Sequence, residues 1–471
     1  MFGTNLRSIL TTSEKQTAII TDNDEHYSYG DLIEISEKIS SYLQKRSLIF
    51  NLCENSIGAL VGYLAFTFNG HVSLLINSSQ NTDAVSQLID NYQPDYLWVK
   101  SAQASSFKES KIIVNFANYS LVSMQTKPTN DLHENLALLL PTSGSTGSPK
   151  YVKLSKQNIL SNAQSIASFL KLDKNQRPIT SLPMYYSFGL SVINSHLISG
   201  STILLTNSSL LQKDFWSFLR EAKATSISGT PYHFEMLDRL KLDNLNKTNI
   251  SIMTHAGGRM NKNLLKKIAL FCHHNDLKFF SMYGQTEATA RMSFVPPHKL
   301  LAKIGSIGIP IPGGDFELLD DAGNVINSNN NNGELIYTGE NVSLGYANKR
   351  EDLQFGDQNF CKLYTGDIAK RDSDGFYYLV GRKSRFTKIY GNRINLDDIE
   401  QLIFGIYGSC ACIGKDDLLL VFSLLGNNKN EIRQFICKKT GINHRAIDVR
   451  LIAEIPRTAN GKISYSDLEN I

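Results

Sequence analysis

Thr142-Ser143-Gly144-Ser145-Thr146-Gly147-Ser148-Pro149-Lys150 stands close behind Leu136-Ala137-Leu138-Leu139-Leu140, and the reading of that junction decides the fold. Residues 136–140 form a short, uninterrupted apolar run, the mark of a strand buried on both faces. In the stretch behind it, glycines permit turns that converge backbone N–H groups on an anion, hydroxyls add donors, and Lys150 adds a mobile positive charge. That is the composition of a phosphate loop, with Thr142, Ser143, Gly144, Ser145, Thr146, Gly147 and Lys150 as candidate ligands. A plain flexible turn has the same composition, because short glycine motifs recur by chance. A Walker loop is excluded: Lys150 follows Pro149 and precedes Tyr151, so the Gly-Lys-Ser/Thr ending is absent.

Downstream, Ser155 is placed to cap a helix whose apolar face is Ile159, Ala163, Ile166, Ala167 and Leu170. Strands are expected at residues 202–205, 225–228, 250–253 and 278–282, with a helix over 261–275, the alternation that yields a parallel sheet covered by helices. The last strand delivers the chain to Tyr283-Gly284-Gln285-Thr286-Glu287, at a strand's carboxyl end, where ligands of open α/β sheets collect. An aromatic ring can stack on a nucleobase, a Thr hydroxyl can meet a phosphate, and a lone carboxylate can hold a magnesium ion shared with phosphate oxygens. Taken alone, the segment reads equally as a surface turn with a solvated Glu.

At 471 residues, more than one domain is expected. A net charge of +4 is small for this length and gives no footing for nucleic-acid coating or an anionic membrane surface, so small-molecule chemistry fits better. Six scattered cysteines and no cationic, apolar leader ahead of Thr11 make the cytoplasm the expected compartment. The apolar stretch 57–76 is broken by Asn69-Gly70-His71 and reads as a buried helix followed by a strand, not as a membrane span. Cys410-Ala411-Cys412 has no second ligand pair and reads as buried strand rather than zinc site. His273-His274 reads as a solvated helix end, and the run from Asn327 to Gly333 as a solvated hairpin loop. After Gly305 the texture turns to short strands and turn clusters, a β subdomain at about 305–382. A compact α+β segment follows over 383–471, opening with a helix at 396–404.

The phosphate-loop stretch, Tyr283-Gly284-Gln285-Thr286-Glu287, Tyr364-Thr365-Gly366-Asp367, Gly381-Arg382 with Lys388 and Gly391, and Pro456-Arg457-Thr458-Ala459-Asn460-Gly461-Lys462 occur together in order. That set resembles the adenylate-forming superfamily of acyl- and aryl-CoA synthetases, peptide-synthetase adenylation domains and luciferases. Tyr27-Ser28-Tyr29-Gly30-Asp31-Leu32 and the segment from Gly333-Glu334-Leu335 to Gly345-Tyr346 fit as well, so the resemblance spans nearly the whole chain. It implies an α/β fold: a large N-terminal domain, 1–382, of mixed β-sheets sandwiched with helices plus the β subdomain, and a small mobile α+β C-terminal lid, 383–471. It implies an ATP- and Mg2+-dependent ligase that adenylates a carboxylic acid, releases pyrophosphate and passes the acyl group to the thiol of CoA or of a carrier-protein phosphopantetheine. Under it, Asp367 accepts from the ribose hydroxyls with Arg382 beside it, and Ala256-Gly257-Gly258 lets the backbone approach adenine and the acyl group. Glu287 holds the metal, and Lys462 reaches the substrate carboxylate and the α-phosphate. The lid turns about a hinge near residues 382–384, bringing Lys388 and Gly391 to the thiol channel in its second pose.

This chain departs from the family's pattern at two places. Ser384 and Arg385 stand where the family usually has acids, or at the first sometimes Lys, which puts the hinge energetics in question. Tyr186, in Pro183-Met184-Tyr185-Tyr186-Ser187-Phe188-Gly189, stands where many relatives have His beside the thiol channel, and no acid occurs between Ile179 and Ser195. An α-amino acid substrate is therefore disfavoured, since a buried ammonium without a carboxylate is costly. Tyr232 and His255 are further candidates to line the acyl pocket, His255 equally a satisfied core histidine. The acceptor stays open. Lys438, Lys439, Arg445, Arg450 and Arg457 suit an acidic carrier-protein helix or the phosphates of CoA. A stand-alone adenylation domain strictly for a carrier protein, and a degenerate adenylate-binding protein, remain the alternatives.

Overall fold

Leu48–Cys53 is buried at every residue, which a sheet with one solvated face does not allow. In the computed structural model, which describes residues 6–10, 13–107, 111–125, 130–141, 150–390, 392–415, 417–458, 463–469 and 471, it lies inside an eight-stranded sheet. There Leu48–Cys53 pairs in parallel with Val72–Asn77 and Tyr96–Lys100. Leu136–Pro141 runs parallel to Val72–Asn77 and antiparallel to Tyr151–Ser155, which in turn pairs with Gly345–Ala347. The apolar run of residues 136–140 is thus the buried strand its composition indicates.

A second sheet, nine-stranded among the described residues, carries Ile203–Leu205, Pro178–Ile179, Ser226–Gly229, Ile252–His255 and Lys278–Tyr283 side by side and parallel. Three of these strands begin one or two residues after the expected start. Thr202, Thr225 and Ser251 are spent on entry turns: the Thr202 amide bonds to the Gln176 carbonyl and the Ser251 amide to the Thr225 carbonyl, outside the ladder. Lys262–His274 is the expected intervening helix, with His273 and His274 exposed in its last turn.

The two sheets face each other across the helices Tyr29–Ser41, Ile57–Phe68 and Ser187–Ile198, whose buried side chains join those of both sheets in one cluster. Ile57–Phe68 is buried at all twelve positions and Val72–Asn77 follows as strand, so the long apolar stretch is core. Among the described residues no helix is long and apolar enough to cross a membrane. Lys213–Glu221, Pro231–Arg239 and Lys262–His274 cover the outer face of the nine-stranded sheet. Lys156–Leu170 is capped as expected: the Ser155 hydroxyl accepts from the Asn158 amide and the Asn158 side chain accepts from the Ser155 amide.

Gly314–Leu319, Gly333–Gly339, Lys362–Arg371 and Tyr377–Arg382 form a separate antiparallel sheet, with the exposed Asn-rich run as the loop between its first two strands. Within the same segment, Gly345–Ala347 returns to the eight-stranded sheet and so fastens the two together. Beyond Arg382, the hairpin Phe386–Ile389 with Asn392–Asn395 precedes a three-stranded sheet covered by Leu396–Tyr407 and Lys429–Thr440. Cys410 and Cys412 are buried in its strand Cys410–Lys415, and the described residues hold no cluster fit to ligate a metal.

Candidate active site

Parallel pairing of His255 with Ser281 aligns the carboxyl ends of Ile252–His255 and Lys278–Tyr283, so Ala256-Gly257-Gly258 and Gly284-Gln285-Thr286-Glu287 leave the sheet at the same edge. Both turns need glycine. Gly257 has φ +85°, and a Cβ there would strike the Tyr186 hydroxyl. At Gly284 a Cβ would collide with the Ala290 carbonyl oxygen, because the chain folds straight back over it. That return is strained. Thr289 has φ +65° and ψ −61°, with the Ala290 amide bonded to the Ala288 carbonyl at 2.7 Å, a γ-turn that a β-branched residue rarely adopts. Backbone strain of this kind clusters at ligand sites, where the surroundings over-determine it.

Asp367 is the centre of the first polar cluster and is only 1% exposed. Its Oδ1 accepts from Arg382 Nε at 2.7 Å, and its Oδ2 from the Tyr283 hydroxyl at 2.5 Å and Gln285 Nε2 at 2.9 Å. Asp367 and Arg382 are cross-strand partners of the four-stranded sheet, so the pair is set by register. Asp367 holds the Arg382 guanidinium above its ordinary value, and burial together with the same carboxylate raises the Tyr283 phenol. Tyr283, offered by the sequence as a surface for a nucleobase, is packed beside Phe316 in the subdomain core and uses its hydroxyl to prop Asp367.

A second cluster joins the loop exit to the turn. Glu287 Oε1 accepts from the Tyr346 hydroxyl at 2.9 Å, and the Lys150 ammonium lies 3.5 Å from the centroid of the same ring. The Thr286 hydroxyl lies 3.1 Å from that of Ser187, the first residue of Ser187–Ile198. Half-buried and hard in its oxygen donors, the Thr286 and Glu287 pair has the chemistry of a magnesium-phosphate site. Tyr346 and Ser187 were missed as site residues. The strand Gly345–Ala347 carries no periodic signal strong enough to reveal which sheet it joins.

Tyr186 is buried, with its hydroxyl against the Gly257 turn. Tyr232 is half-buried and meets the Arg457 guanidinium, 5.5 Å from its ring centroid, a contact between the large body and the carboxyl-terminal segment. His255 is not brought to them. Side chains alternate along a strand, so His255 faces the outer helical layer beside Phe234, while Ile252 and Ala256 cluster with Tyr186 on the other face. Burial pushes its imidazole down to about 3, the state of a neutral core histidine. Thr142, Ser143, Gly144, Ser145, Thr146, Gly147, Gly391 and Lys462 lie outside the described residues, as does the side chain of Lys388.

Arg385, a departure from the family's pattern, is the hub of the carboxyl-terminal segment. It bonds Asp397 at 2.8 Å, Glu400 at 2.6 Å and the Cys412 carbonyl at 2.8 Å, with its guanidinium over Tyr465. Where the segment meets the body, Asn395 Nδ2 donates to the Val380 carbonyl at 2.6 Å and Arg259 reaches Asp398 at 4.0 Å. Of the basic residues singled out there, Lys438, Lys439 and Arg445 are exposed, whereas Arg450 is paired with Asp448 at 3.0 Å.

Residues 7–347 match the family model described as AMP-binding enzyme. The 2-succinylbenzoate–CoA ligase of Oceanobacillus iheyensis is 24% identical, with 97% of this chain and 96% of that protein covered. The D-alanine–D-alanyl carrier protein ligase of Staphylococcus haemolyticus is 25% identical over 84% of this chain and 81% of its own. Among solved structures, the o-succinylbenzoate CoA synthetase of Bacillus subtilis in complex with its acyl-adenylate intermediate superposes with a TM-score of 0.80 at 21% identity, covering 99% and 98% of the two chains.

Proposed function

We propose a function from one premise: the chain belongs to the AMP-binding enzyme family. It is an ATP-dependent, AMP-forming ligase of a carboxylic acid. The observation that carries this reading is the buried Asp367 carboxylate, braced by Arg382, Tyr283 and Gln285 one turn from Thr286 and Glu287. A carboxylate so braced by three donors keeps one of its about four lone pairs, on Oδ1, for a ribose hydroxyl, while Lys150 and the Thr286 hydroxyl supply donors to phosphate. Mg2+ supplies charge neutralisation on the phosphate oxygens, with Glu287 its ligand. The substrate carboxylate attacks the α-phosphorus, the bond to the β-phosphate oxygen breaks, pyrophosphate leaves, and an acyl-adenylate forms. Lys462 neutralises the charge developing in that step, an effect confined to the transition state. A thiol sulfur then attacks the acyl carbon, with Lys388, Gly391 and Tyr186 along its approach, and AMP departs.

The family's domain arrangement is taken over as a body, 1–382, and a lid, 383–471, that turns about residues 382–384. The contacts Asn395 to Val380 and Arg259 to Asp398 are those a turn would exchange. CoA is the acceptor we favour, since 2-succinylbenzoate–CoA ligases match the chain over nearly its full length. A carrier-protein thiol is the second reading, supported by exposed Lys438, Lys439 and Arg445 and by the likeness to a carrier protein ligase. The working compartment is the cytoplasm, where ATP and CoA are found.

Carboxylate-dependent exchange of pyrophosphate into ATP tests the first half-reaction, and mass spectrometry of products with CoA or carrier tests the second. Lys462→Ala is expected to abolish exchange yet still transfer acyl from supplied acyl-adenylate; normal exchange by this variant overturns the assignment. Transfer to a carrier that resists both high salt and charge reversal at Lys438 and Lys439 removes the carrier reading's electrostatic basis.

A further inference from the structure

Arg291 is one of the largest fully buried side chains of the protein, 1% exposed, and neither its Nε nor its Nη1 has a hydrogen-bond partner among the described residues. A guanidinium cannot escape burial by losing its proton under ordinary conditions, and its desolvation costs several kcal/mol unless an anion or several acceptors replace water. No acid of the described structure is paired with it. Burial alone pulls its proton affinity down, and no carboxylate pushes it back.

The surroundings hold this side chain in place. The Arg291 carbonyl accepts from Asn162 Nδ2 at 2.8 Å and from Asn341 Nδ2 at 3.3 Å, so the backbone is clamped from two elements. The strained turn at Thr289, two residues earlier, sends the chain inward from Glu287. The guanidinium lies 5.1 Å from the centre of the Phe188 ring. Phe188 follows Ser187, whose hydroxyl lies 3.1 Å from that of Thr286, so the ring that the cation faces adjoins a residue in contact with the turn assigned to phosphate. Near it, the His196 Nε2 is likewise buried without a partner. Phe188 in turn packs in an apolar cluster with Val192, Ile252, Ala256 and Tyr186.

Resting on the adenylation reading, we propose that the acid activated by this enzyme carries a second anionic group, held by Arg291 against the face of Phe188. One carboxylate is presented to the nucleotide at Thr286 while the other meets the orphaned Nε and Nη1, and the carbon chain between them lies in the apolar cluster. A monocarboxylic acid of the same length leaves the guanidinium unpaired and is rejected, because a site built to bond a polar group discriminates strongly against the analogue that lacks it. The unmatched charge also makes the ligand-free protein less stable than its packing allows, so the substrate settles a charge the fold leaves open.

The test uses the full chain with succinate, glutarate and phthalate against butyrate, pentanoate and benzoate. The unsubstituted protein should favour the best diacid over its monoacid in pyrophosphate exchange by about a hundredfold or more. Arg291→Met, which keeps the stem and drops the charge, should collapse that ratio toward one, leave the KM for ATP unchanged, and raise the melting temperature. Arg291→Lys should retain part of the ratio. An unchanged ratio in Arg291→Met, or equal loss for both acid classes with a lowered melting temperature, overturns the proposal in favour of a structural role. Equilibrium dialysis of the labelled diacids with AMP and no ATP separates the two readings. Arg291-dependent binding without exchange sinks adenylation alone, and exchange with monoacids but no diacid binding sinks this inference alone.

Discussion

The Tyr346 hydroxyl donates a 2.9 Å hydrogen bond to Glu287 Oε1 across 59 residues of chain, from a strand edge that also places the ring under the Lys150 ammonium. One tyrosine thereby ties the exit of the phosphate-loop stretch to the carboxylate proposed to hold the metal. Glu287→Gln should lower the exchange rate by about a hundredfold or more, and raised magnesium should restore part of it. Tyr346→Phe frees one carboxylate oxygen without removing charge, so its rate should stay within about tenfold and its magnesium requirement should not rise. Magnesium titration of the three proteins checks both statements, and identical metal dependence in all three removes Glu287 from the site.

Asp367 is held by three donors, and its loss should read out in nucleotide binding more than in turnover. Asp367→Ala should raise the KM for ATP by tenfold or more at nearly unchanged kcat, the pattern of an interaction shared by ground and transition states. Tyr283→Phe removes one prop and leaves Gln285 and Arg382, so it should cost about 1.5–3 kcal/mol of stability by urea denaturation, the range for a hydrogen bond to a charged group. A kcat effect larger than the KM effect in Asp367→Ala would contradict this division.

Arg385 neutralises Asp397 and the largely buried Glu400, whose carboxyl is pushed up by desolvation and held down chiefly by that arginine. Arg385→Met leaves both acids without their cation, a loss of about 3–5 kcal/mol for a broken buried pair. Hydrogen exchange should show protection falling in Leu396–Tyr407 and Cys410–Lys415 while the two large sheets keep theirs. Uniform loss across the whole chain would mean that the rest of the protein depends on the carboxyl-terminal segment for its stability.

His255, His196 and His71 are buried, and desolvation lowers them to about 3, 4 and 4. The unfolded chain binds their protons near 6.5, whereas the folded chain resists until much lower pH, so their contribution is complete above 6.5 and is lost as pH falls through the window from 6.5 toward 4. Each costs about 1.4 kcal/mol per pH unit inside that window. Urea midpoints should drop clearly between pH 7.5 and 5, with a shallower drop in His71→Asn. A flat midpoint over that range is the contrary result.

The buried strand of residues 136–140, the capped helix after Ser155 and the parallel strands of the middle were readable because each is written locally, the strands as short apolar runs and the helix as a 3.6-residue apolar face behind its cap. Asp367 with Arg382 was readable as a pair only through the resemblance, and the structure supplies its cause in cross-strand register. His255 stayed open between pocket and core for the opposite reason. Its strand is buried on both faces, so alternation leaves no polar mark to tell which side faces the site.

The sequence by itself determined the chemistry on offer: a hydroxyl- and glycine-rich loop ending in Lys150, the Thr286-Glu287 turn, Asp367 and Lys462 in fixed order, within an α/β pattern. Only the tertiary structure decided that Tyr346 meets Glu287, that Arg385 holds the carboxyl-terminal segment together, and that Arg291 is enclosed with no acid paired to it among the described residues. Those facts depend on which distant elements pack together and on how much water the packing removes. Local periodicity fixes which way a side chain points along its own strand or helix. It does not fix what waits there, nor the desolvation that gives a buried charge its purpose.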